Sequence, residues 1–497
     1  MIRRVLVLGS GSAGLLAALS LKRKIPPLEV RIVRSPEIGV IGVGEGTTPN
    51  FPKHLFEYLG LSRKLFYERA EPIWKLGIRF LWGPREQFDY GFAQALDARW
   101  LDLPRPNGYY CDDVFRCCDL PTALMAHDKA FARRADGPGP EVHDWHAFHV
   151  ENHKLVETLE FLARSLGIEI VDGKVREVAH RPGGGVAALG LEDGRRVDAD
   201  LFVDASGFRS ELLGGALAEP FASYDGSLFC DRAVLGGWER QPDEPILPYT
   251  TAETMGAGWS WQIEHEHHVN RGYVFSSAHL NDDEARAEFG RRNPRAPQDG
   301  PVVRFRSGRY RRSWVDNVVA VGNAAGFVEP LEATALMVVC AESQNLVEAL
   351  LHTGLEPTPS MRRLYNDTAA DTWDEIRDFL AVHYKFNTRL DTPFWRQCRA
   401  ETDVGDAADL LEFYEENGPT GFARHRLRHG SGINFGIEGW LVMLVGNRMP
   451  YRGRHAASAE EQSTWRRHCG DYAAQARSAY GVKETLEFVR HPNWAWR

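Results

Sequence analysis

The chain has 497 residues, with 59 Lys+Arg against 68 Asp+Glu and a net charge of −9. That is too long for one small module and too acidic for nucleic acid to be the main partner. Its 43% hydrophobic and 26% charged residues describe an ordinary globular chain and exclude wholesale disorder or collagen-like repeats. No stretch approaches the about 20 apolar residues that cross a bilayer, and the longest run, residues 440–446, is core-sized. The basic start Met1-Ile2-Arg3-Arg4 leads into a run cut by glycines, with no signal-type cleavage site, so no membrane partner and a cytoplasmic location are expected. Seven scattered cysteines, Cys117 and Cys118 adjacent, indicate neither a disulfide framework nor a zinc knuckle and read as reduced, mostly buried thiols.

Val5-Leu6-Val7-Leu8 is a β-prone run broken by glycines, residues 15–22 are a Leu/Ala-rich helix, and Val30-Arg31-Ile32-Val33 is a second strand. This is the opening βαβ unit of a dinucleotide-binding fold. Residues 137–140 are a loop signal, and Arg181-Pro182-Gly183-Gly184-Gly185 separates two β-like runs as a hairpin would. Leu201-Phe202-Val203-Asp204 and Val318-Val319-Ala320-Val321 are buried-strand patterns expected to return to the first sheet. Helical periodicity begins at Leu336 and dominates from about Glu342. The expected fold is α/β: a Rossmann-like core over 1–345, with cofactor-binding parts near 1–70, 150–215 and 300–345, a mixed β-sheet substrate region inserted between them, and a mostly α-helical region over 346–497.

Gly9-x-Gly11-x-x-Gly14, with Ala13 inside it, falls between strand and helix, where a tight turn brings backbone to a pyrophosphate and the helix N-terminus attracts its charge. The acidic residue expected at the end of the second strand is replaced by Arg34. Arg34 can stack on adenine or meet a 2′-phosphate, with Glu37 left for the ribose, so this motif alone leaves FAD and NADP open. Asp204-Ala205-Ser206-Gly207 and Gly322-Asn323-Ala324-Ala325-Gly326-Phe327 place further small residues after strands, where a long cofactor would pass close to backbone. Three such turns in order favour FAD.

An ordered set of motifs resembles the flavin-dependent halogenase family, which includes the tryptophan halogenases, over nearly the whole chain. The set runs from Gly39-Val40-Ile41-Gly42-Val43-Gly44-Glu45-Gly46-Thr47-Thr48-Pro49 and Lys75-Leu76-Gly77-Ile78-Arg79-Phe80 to Gly258-Trp259-Ser260-Trp261-Gln262-Ile263 and Gly272-Tyr273-Val274-Phe275. It continues with Gly326-Phe327-Val328-Glu329-Pro330-Leu331-Glu332-Ala333-Thr334, His383-Tyr384 and Asp391-Thr392-Pro393-Phe394-Trp395.

The resemblance implies FAD used as FADH2, delivered by a separate NAD(P)H-dependent flavin reductase. Oxygen and chloride or bromide then give hypohalous acid, which halogenates an electron-rich aromatic substrate. It assigns the halogen carrier to Lys75, flanked by apolar residues that would desolvate it, and the base or electrostatic stabiliser to Glu332. Taken alone, a lysine in such a run is more often a snorkelling surface residue, and Glu332 can equally serve a helix N-terminus. Thr334 and Ala335 match the halide-binding amides, although the usual serine and glycine are here Ala333 and Ala335. Trp259 and Trp261, two apart on a strand, match the wall between flavin and substrate. Gly44, Glu45 and Thr47 join the cofactor-binding residues. The usual proline after Ile263 is Glu264, which motivates a rival reading as an aromatic hydroxylase; a non-catalytic flavin-binding protein is the rival from another class. A homodimer is common among similar proteins. His265, His267 and His268 lack metal-site spacing and read as a polar loop, and the arginines between 304 and 312 as a hairpin face.

Overall fold

The computed structural model describes residues 1–37, 44–111, 116–427, 435–453 and 455–496, and residues 39–43 of the first family motif lie outside them. The chain forms two compact units, each built from three stretches. Residues 346–374 belong to the first and 375–497 to the second, so the packing groups the helical region differently from a cut at residue 345.

The first unit comprises Met1–Pro72, Val150–Tyr224 and Phe305–Asp374. Its six-stranded sheet runs in the order Trp314–Val315, Val318–Ala320, Leu201–Asp204, Arg4–Leu8, Glu29–Arg34, Glu169–Asp172. Four of its five pairings are parallel, with Val5 opposite both Val30 and Leu201, and Phe202 opposite Val318; only Trp314–Val315 with Val318–Ala320 is antiparallel. Leu201–Asp204 and Val318–Ala320 thus return to the first sheet as their buried apolar runs predict. Strands covered on both faces need such continuous runs, and Val5 to Leu8 are all buried. The helix Ser12–Lys24 crosses from the first strand to the second and packs against Asn152–Ser165 and Ala335–His352. Its last turn carries Lys22, Arg23 and Lys24, the sign that suits a helix C-terminus. The glycine run at 183–185 joins the antiparallel strands Val175–His180 and Val186–Leu191, as expected of a hairpin.

The second unit comprises Ile73–His149, Asp225–Arg304 and Glu375–Arg497. Its seven-stranded sheet has the order Val302–Arg304, Arg232–Glu239, His268–Phe275, Gly258–Glu264, Thr250–Met255, Gly77–Leu81, Phe88–Gly91. All its pairs are antiparallel except Thr250–Met255 with Gly77–Leu81. The helix Asp282–Arg292, opened by a capping box between Asn281 and Glu284, buries Ala285 and Phe289 against Val234, Tyr273 and Phe275. An aromatic cluster fills another part of the unit. Trp82 meets Trp395 edge-on at 5.4 Å between ring centroids, and Tyr384 stacks on Trp395 at 5.6 Å. The indole N–H groups of Trp82 and Trp395 donate to the His383 and Met255 carbonyls, so these rings are buried without stranding a polar atom. The His383-Tyr384 and Asp391–Trp395 motifs are therefore packing elements of this cluster.

None of the seven cysteines is in a disulfide, and six are buried. The apolar run at 440–446 lies in the buried helix Gly436–Gly446. Among the described residues no helix is long and apolar enough to cross a membrane.

Candidate active site

In the first unit, a cleft of about 460 Å3 opens at the ends of the Arg4–Leu8, Glu29–Arg34 and Leu201–Asp204 strands. Gly9, Gly11, Ala13, Arg34, Glu45, Gly207, Gly322 and Ala335 all line it. The helix Ser12–Lys24 begins here with Gly11 at its N-cap, no side-chain cap and no acid in its first turn. Its first N–H groups are thus left for an anion. Gly9 has φ +112°, and a Cβ there would stand 2.3 Å from the Ala205 carbonyl oxygen, so only glycine lets the turn pass the Leu201–Asp204 strand end. Gly11 has nothing within 4 Å of where a Cβ would be.

Arg34 donates to Glu160 at 2.6 Å and to Asp172 at 2.7 Å. Two carboxylates already hold its charge, an environment that disfavours a 2′-phosphate. Glu37 is exposed beside Lys174, 3.8 Å away. Deeper in, Ser12 Oγ donates to Asn152 Oδ1 at 3.2 Å, and Asn152 Nδ2 donates to Glu45 Oε1 at 3.4 Å. Enclosure by protein atoms pushes the Glu45 carboxyl up to about 7. Ser35 Oγ, on the cleft wall, is buried without a hydrogen-bond partner. An uncapped helix start, an orphaned hydroxyl and open space above Gly11 fit the pyrophosphate of a dinucleotide such as FAD.

Some predicted cofactor residues are not on the cleft wall. Asp204 is fully buried and turned inward, accepting the backbone N–H groups of Ser206, Leu212 and Leu213 and the Ser206 hydroxyl at 2.6 to 3.1 Å. It shapes the turn, and Ala205, Ser206 and Gly207 present it to the cleft. Gly14, Gly44, Thr47, Gly326 and Phe327 likewise lie off the wall. Phe327 instead packs on Phe208, which does line the cleft, at 4.8 Å. Lining residues that the motifs did not single out include Asn152, Lys174 and Arg209. Arg209 ends the 3-10 turn begun by Gly207, whereas Asn152 opens a helix and Lys174 lies between strands, with no glycine fingerprint to mark them.

Glu332 ends a short 3-10 turn, Pro330–Glu332, and is buried, 3% exposed. Ala333 follows at φ +56°, and Thr334 caps the helix Ala335–His352 without a side-chain hydrogen bond. The first N–H groups of this 18-residue helix are therefore also open, with Ala335 exposed at the cleft. Ala335 is a helical residue, where alanine is the most favourable choice, so glycine's freedom is not needed there. The left-handed conformation falls instead on Ala333.

In the second unit, Lys75 ends the short strand Ile73–Lys75, is fully buried, and holds its Nζ 5.5 Å from the centre of the Phe92 ring. The strand pairs antiparallel with Ala147–Val150, placing Ile73 opposite His149. His149 is also fully buried, and motif reading gave no signal for it. Its Nε2 lies 2.7 Å from Thr250 Oγ1, and its Nδ1 accepts the Glu264 backbone N–H at 3.4 Å. Burial first and then the charge of Lys75 hold this imidazole well below its usual range.

Trp259 and Trp261 sit on one face of their strand with ring centroids 6.1 Å apart, both buried. The Trp261 ring covers Gly272 on the next strand. Glu264 occupies the place of the family proline and is buried in an ion pair with Arg240, accepting a further bond from Gln262 at 2.7 Å. Burial pushes its carboxyl up against the pull of Arg240.

His265 and His268 stack at 4.5 Å across the turn between two strands, His268 opening the second of them. Of the late arginines, Arg309 is bound by Asp374 at 2.9 Å and Arg312 by Glu219 at 2.6 Å. Arg309 is thereby drawn into packing, while Arg312 stays on an exposed face as expected.

A family model described as tryptophan halogenase matches residues 4–462. Tryptophan 7-halogenase KtzQ of Kutzneria sp. (strain 744) is 33% identical over 446 residues, covering 84% of this chain and 82% of that protein. Tryptophan 7-halogenase RebH of Lentzea aerocolonigenes is 32% identical over 80% of this chain and 78% of its own. Among solved structures, the lanthipeptide tryptophan 5-halogenase MibH superposes with a TM-score of 0.87 at 38% identity, over 98% of this chain and 93% of that one. BrvH, a flavin-dependent halogenase from Brevundimonas sp. BAL3, does so with a TM-score of 0.84 at 27% identity, over 98% and 99%. With the glycine turns gathered on one cleft and Lys75 buried in its motif, this chain belongs to the tryptophan halogenase family of flavin-dependent enzymes, which halogenate aromatic substrates.

Proposed function

We propose that the protein is an FADH2-dependent halogenase that oxidises chloride or bromide and places the halogen on the indole ring of tryptophan by electrophilic substitution, with Lys75 carrying the halogen. The observation that carries this reading is the fully buried Lys75 amine beside an aromatic ring. An enclosed amine can hold a reactive electrophile away from water.

Gly9, Gly11, Ala13, Arg34, Glu45 and Gly207 would hold FAD, which, reduced by a separate NAD(P)H-dependent reductase, supplies with oxygen the oxidising equivalent that turns halide into hypohalous acid. Thr334 and Ala335 offer the halide the open N–H groups of a helix start. Lys75 then either donates a hydrogen bond to the hypohalous acid or, as a neutral amine, exchanges one N–H for N–halogen with release of water. The ring carbon takes the halogen, the Glu332 carboxylate takes the ring proton, and that proton then passes to the group the halogen has left, restoring the amine or turning hydroxide into water. Trp259 and Trp261 form the wall that keeps ring and flavin apart. The enzyme would act in the cytoplasm, and a homodimer is its expected form.

A tryptophan held in a peptide is the second reading, carried by the 38% identity to a halogenase of a lanthipeptide. Mass spectrometry tests both. Protein, FAD, a flavin reductase and NADH are incubated with L-tryptophan, indole or a tryptophan-containing peptide, in chloride or bromide. A product heavier by one halogen, absent in Lys75→Ala although that variant still binds and reoxidises flavin, is the expected result. A product heavier by one oxygen whatever the halide would make the enzyme a hydroxylase, and full halogenation by Lys75→Ala would remove Lys75 from the reaction.

A further inference from the structure

Lys75 and His149 rise from one face of an antiparallel pair. Ile73 faces His149 and Lys75 faces Ala147. Opposite residues share a face, as do residues two apart, so Lys75 and His149 are diagonal neighbours. Both are wholly buried.

The two nitrogens of His149 have different partners. The Glu264 backbone N–H can only donate, so Nδ1, 3.4 Å away, must accept. The ring proton then sits on Nε2 and is donated to Thr250 Oγ1 at 2.7 Å. Forming the imidazolium would place a second proton at Nδ1 against that amide. The charged groups around the ring oppose it as well: Lys75, His265 and Arg240 are positive or can become so. The carboxylate of Glu264, whose amide the ring accepts, is already engaged by Arg240 and Gln262. A proline at position 264 would supply neither the amide proton nor the carboxylate.

We propose that His149 is the positioning residue for Lys75: pinned by Thr250 and the Glu264 amide, its uncharged ring fixes the side of the enclosure against which the lysine chain lies and keeps a second positive charge out of it. The inference rests on Lys75 being the halogen carrier and adds what holds that carrier in place.

The test uses the full chain with photoreduced FAD, bromide and a mixture of L-tryptophan, indole and a tryptophan-containing peptide. His149→Phe keeps the volume but removes both hydrogen bonds. It is expected to lower kcat roughly 10- to 100-fold with little change in KM, the signature of a misplaced reacting group, and to move the pH–rate limb. His149→Asn, whose Oδ1 can accept the Glu264 amide, is expected to recover most of the rate and the wild-type pH profile. Ring-15N histidine spectra of the protein, with the His149 signal assigned from the Asn variant, are expected to show a neutral Nε2–H tautomer from about pH 6 to 8. An imidazolium in that range overturns the proposal whatever the activity. So does a Phe variant with unchanged kcat and pH profile, or Phe and Asn variants equally impaired with equal loss of thermal stability, which is a structural role alone. Lys75→Ala separates the two readings. If it still halogenates, the carrier assignment fails; if it is inactive while His149→Phe is normal, only the present proposal fails.

Discussion

Gly272 lies under the indole of Trp261 on the neighbouring strand, and a Cβ there would come within 2.1 Å of the ring carbons. The obstacle is a rigid ring packed in the core, not the end of a flexible chain. Gly272→Ala must therefore tilt Trp261 or part the two strands. The expected loss is about 1 to 3 kcal/mol, as for other overpacked sites, read by urea unfolding, with a change in near-UV circular dichroism. An unchanged midpoint and spectrum would show that the ring moves freely.

Gly9 and Gly11 belong to one fingerprint, yet substitutions at them should fail in different ways. Gly9→Ala would set a methyl group 2.3 Å from the Ala205 carbonyl at φ +112°, so folding and FAD binding should both suffer. Gly11 has φ −71°, which any residue adopts, and open space where its Cβ would be. Gly11→Leu should keep the wild-type melting temperature while weakening FAD binding at least tenfold, about 1.4 kcal/mol. Calorimetry with FAD checks both variants. Wild-type FAD affinity in Gly11→Leu would remove the cleft from cofactor binding.

Local patterns made the fold legible. The run Val5–Leu8, the glycines after it and the helix behind them carry their periodicities within about twenty residues, and Leu201–Asp204 repeats the buried-strand signature. Partners far apart in sequence carry no such signature. Arg34 reads as open to a 2′-phosphate until the fold brings Glu160, on a helix, and Asp172, on a strand, to it from 126 and 138 residues away. Asp204 counts among the cofactor-binding residues because it opens a small-residue turn after a strand, yet its carboxylate is consumed by the N–H groups of its own turn. His149 is invisible for the same reason: its partners Thr250 and Glu264 are 101 and 115 residues away. Motifs record where backbone must be special, and side-chain pairing across a fold leaves no spacing to read.

Glu332→Gln tests the base. The substitution keeps size and hydrogen-bonding capacity but removes the carboxylate that would take the ring proton. Turnover should fall roughly 10²- to 10⁴-fold, the usual contribution of a positioned acid or base, while KM for the aromatic substrate and the rate of flavin oxidation hold. Steady-state kinetics with bromide and separate oxygen-uptake measurements distinguish these quantities. Turnover near wild type would leave Glu332 only its place before the helix Ala335–His352.

Glu342 predicts how stability depends on pH. Its carboxyl is buried in that helix, accepting the Gly322 N–H at 2.7 Å and the Trp373 indole N–H at 3.3 Å. Two donors favour the ionised form, but burial outweighs them and pushes the group up to about 8. In the unfolded chain the same carboxyl titrates near 4.5, so between these values the folded state binds a proton that the unfolded state has lost. The stabilisation is complete below the unfolded value and is lost as pH rises through about 8. Glu45 and Glu438, each raised to about 7, act in the same direction. The buried histidines His54 and His149, both lowered, act oppositely, but only where an unfolded histidine is still protonated. Above about pH 7 the carboxyls therefore dominate, and stability should fall by up to about 1.4 kcal/mol per pH unit for each bound proton. Glu342→Gln cannot ionise, so urea unfolding between about pH 7 and 8.5 should show a shallower decline than wild type. Equal slopes in the two proteins would mean that Gly322 and Trp373 keep the carboxylate charged, and that the two hydrogen bonds outweigh burial.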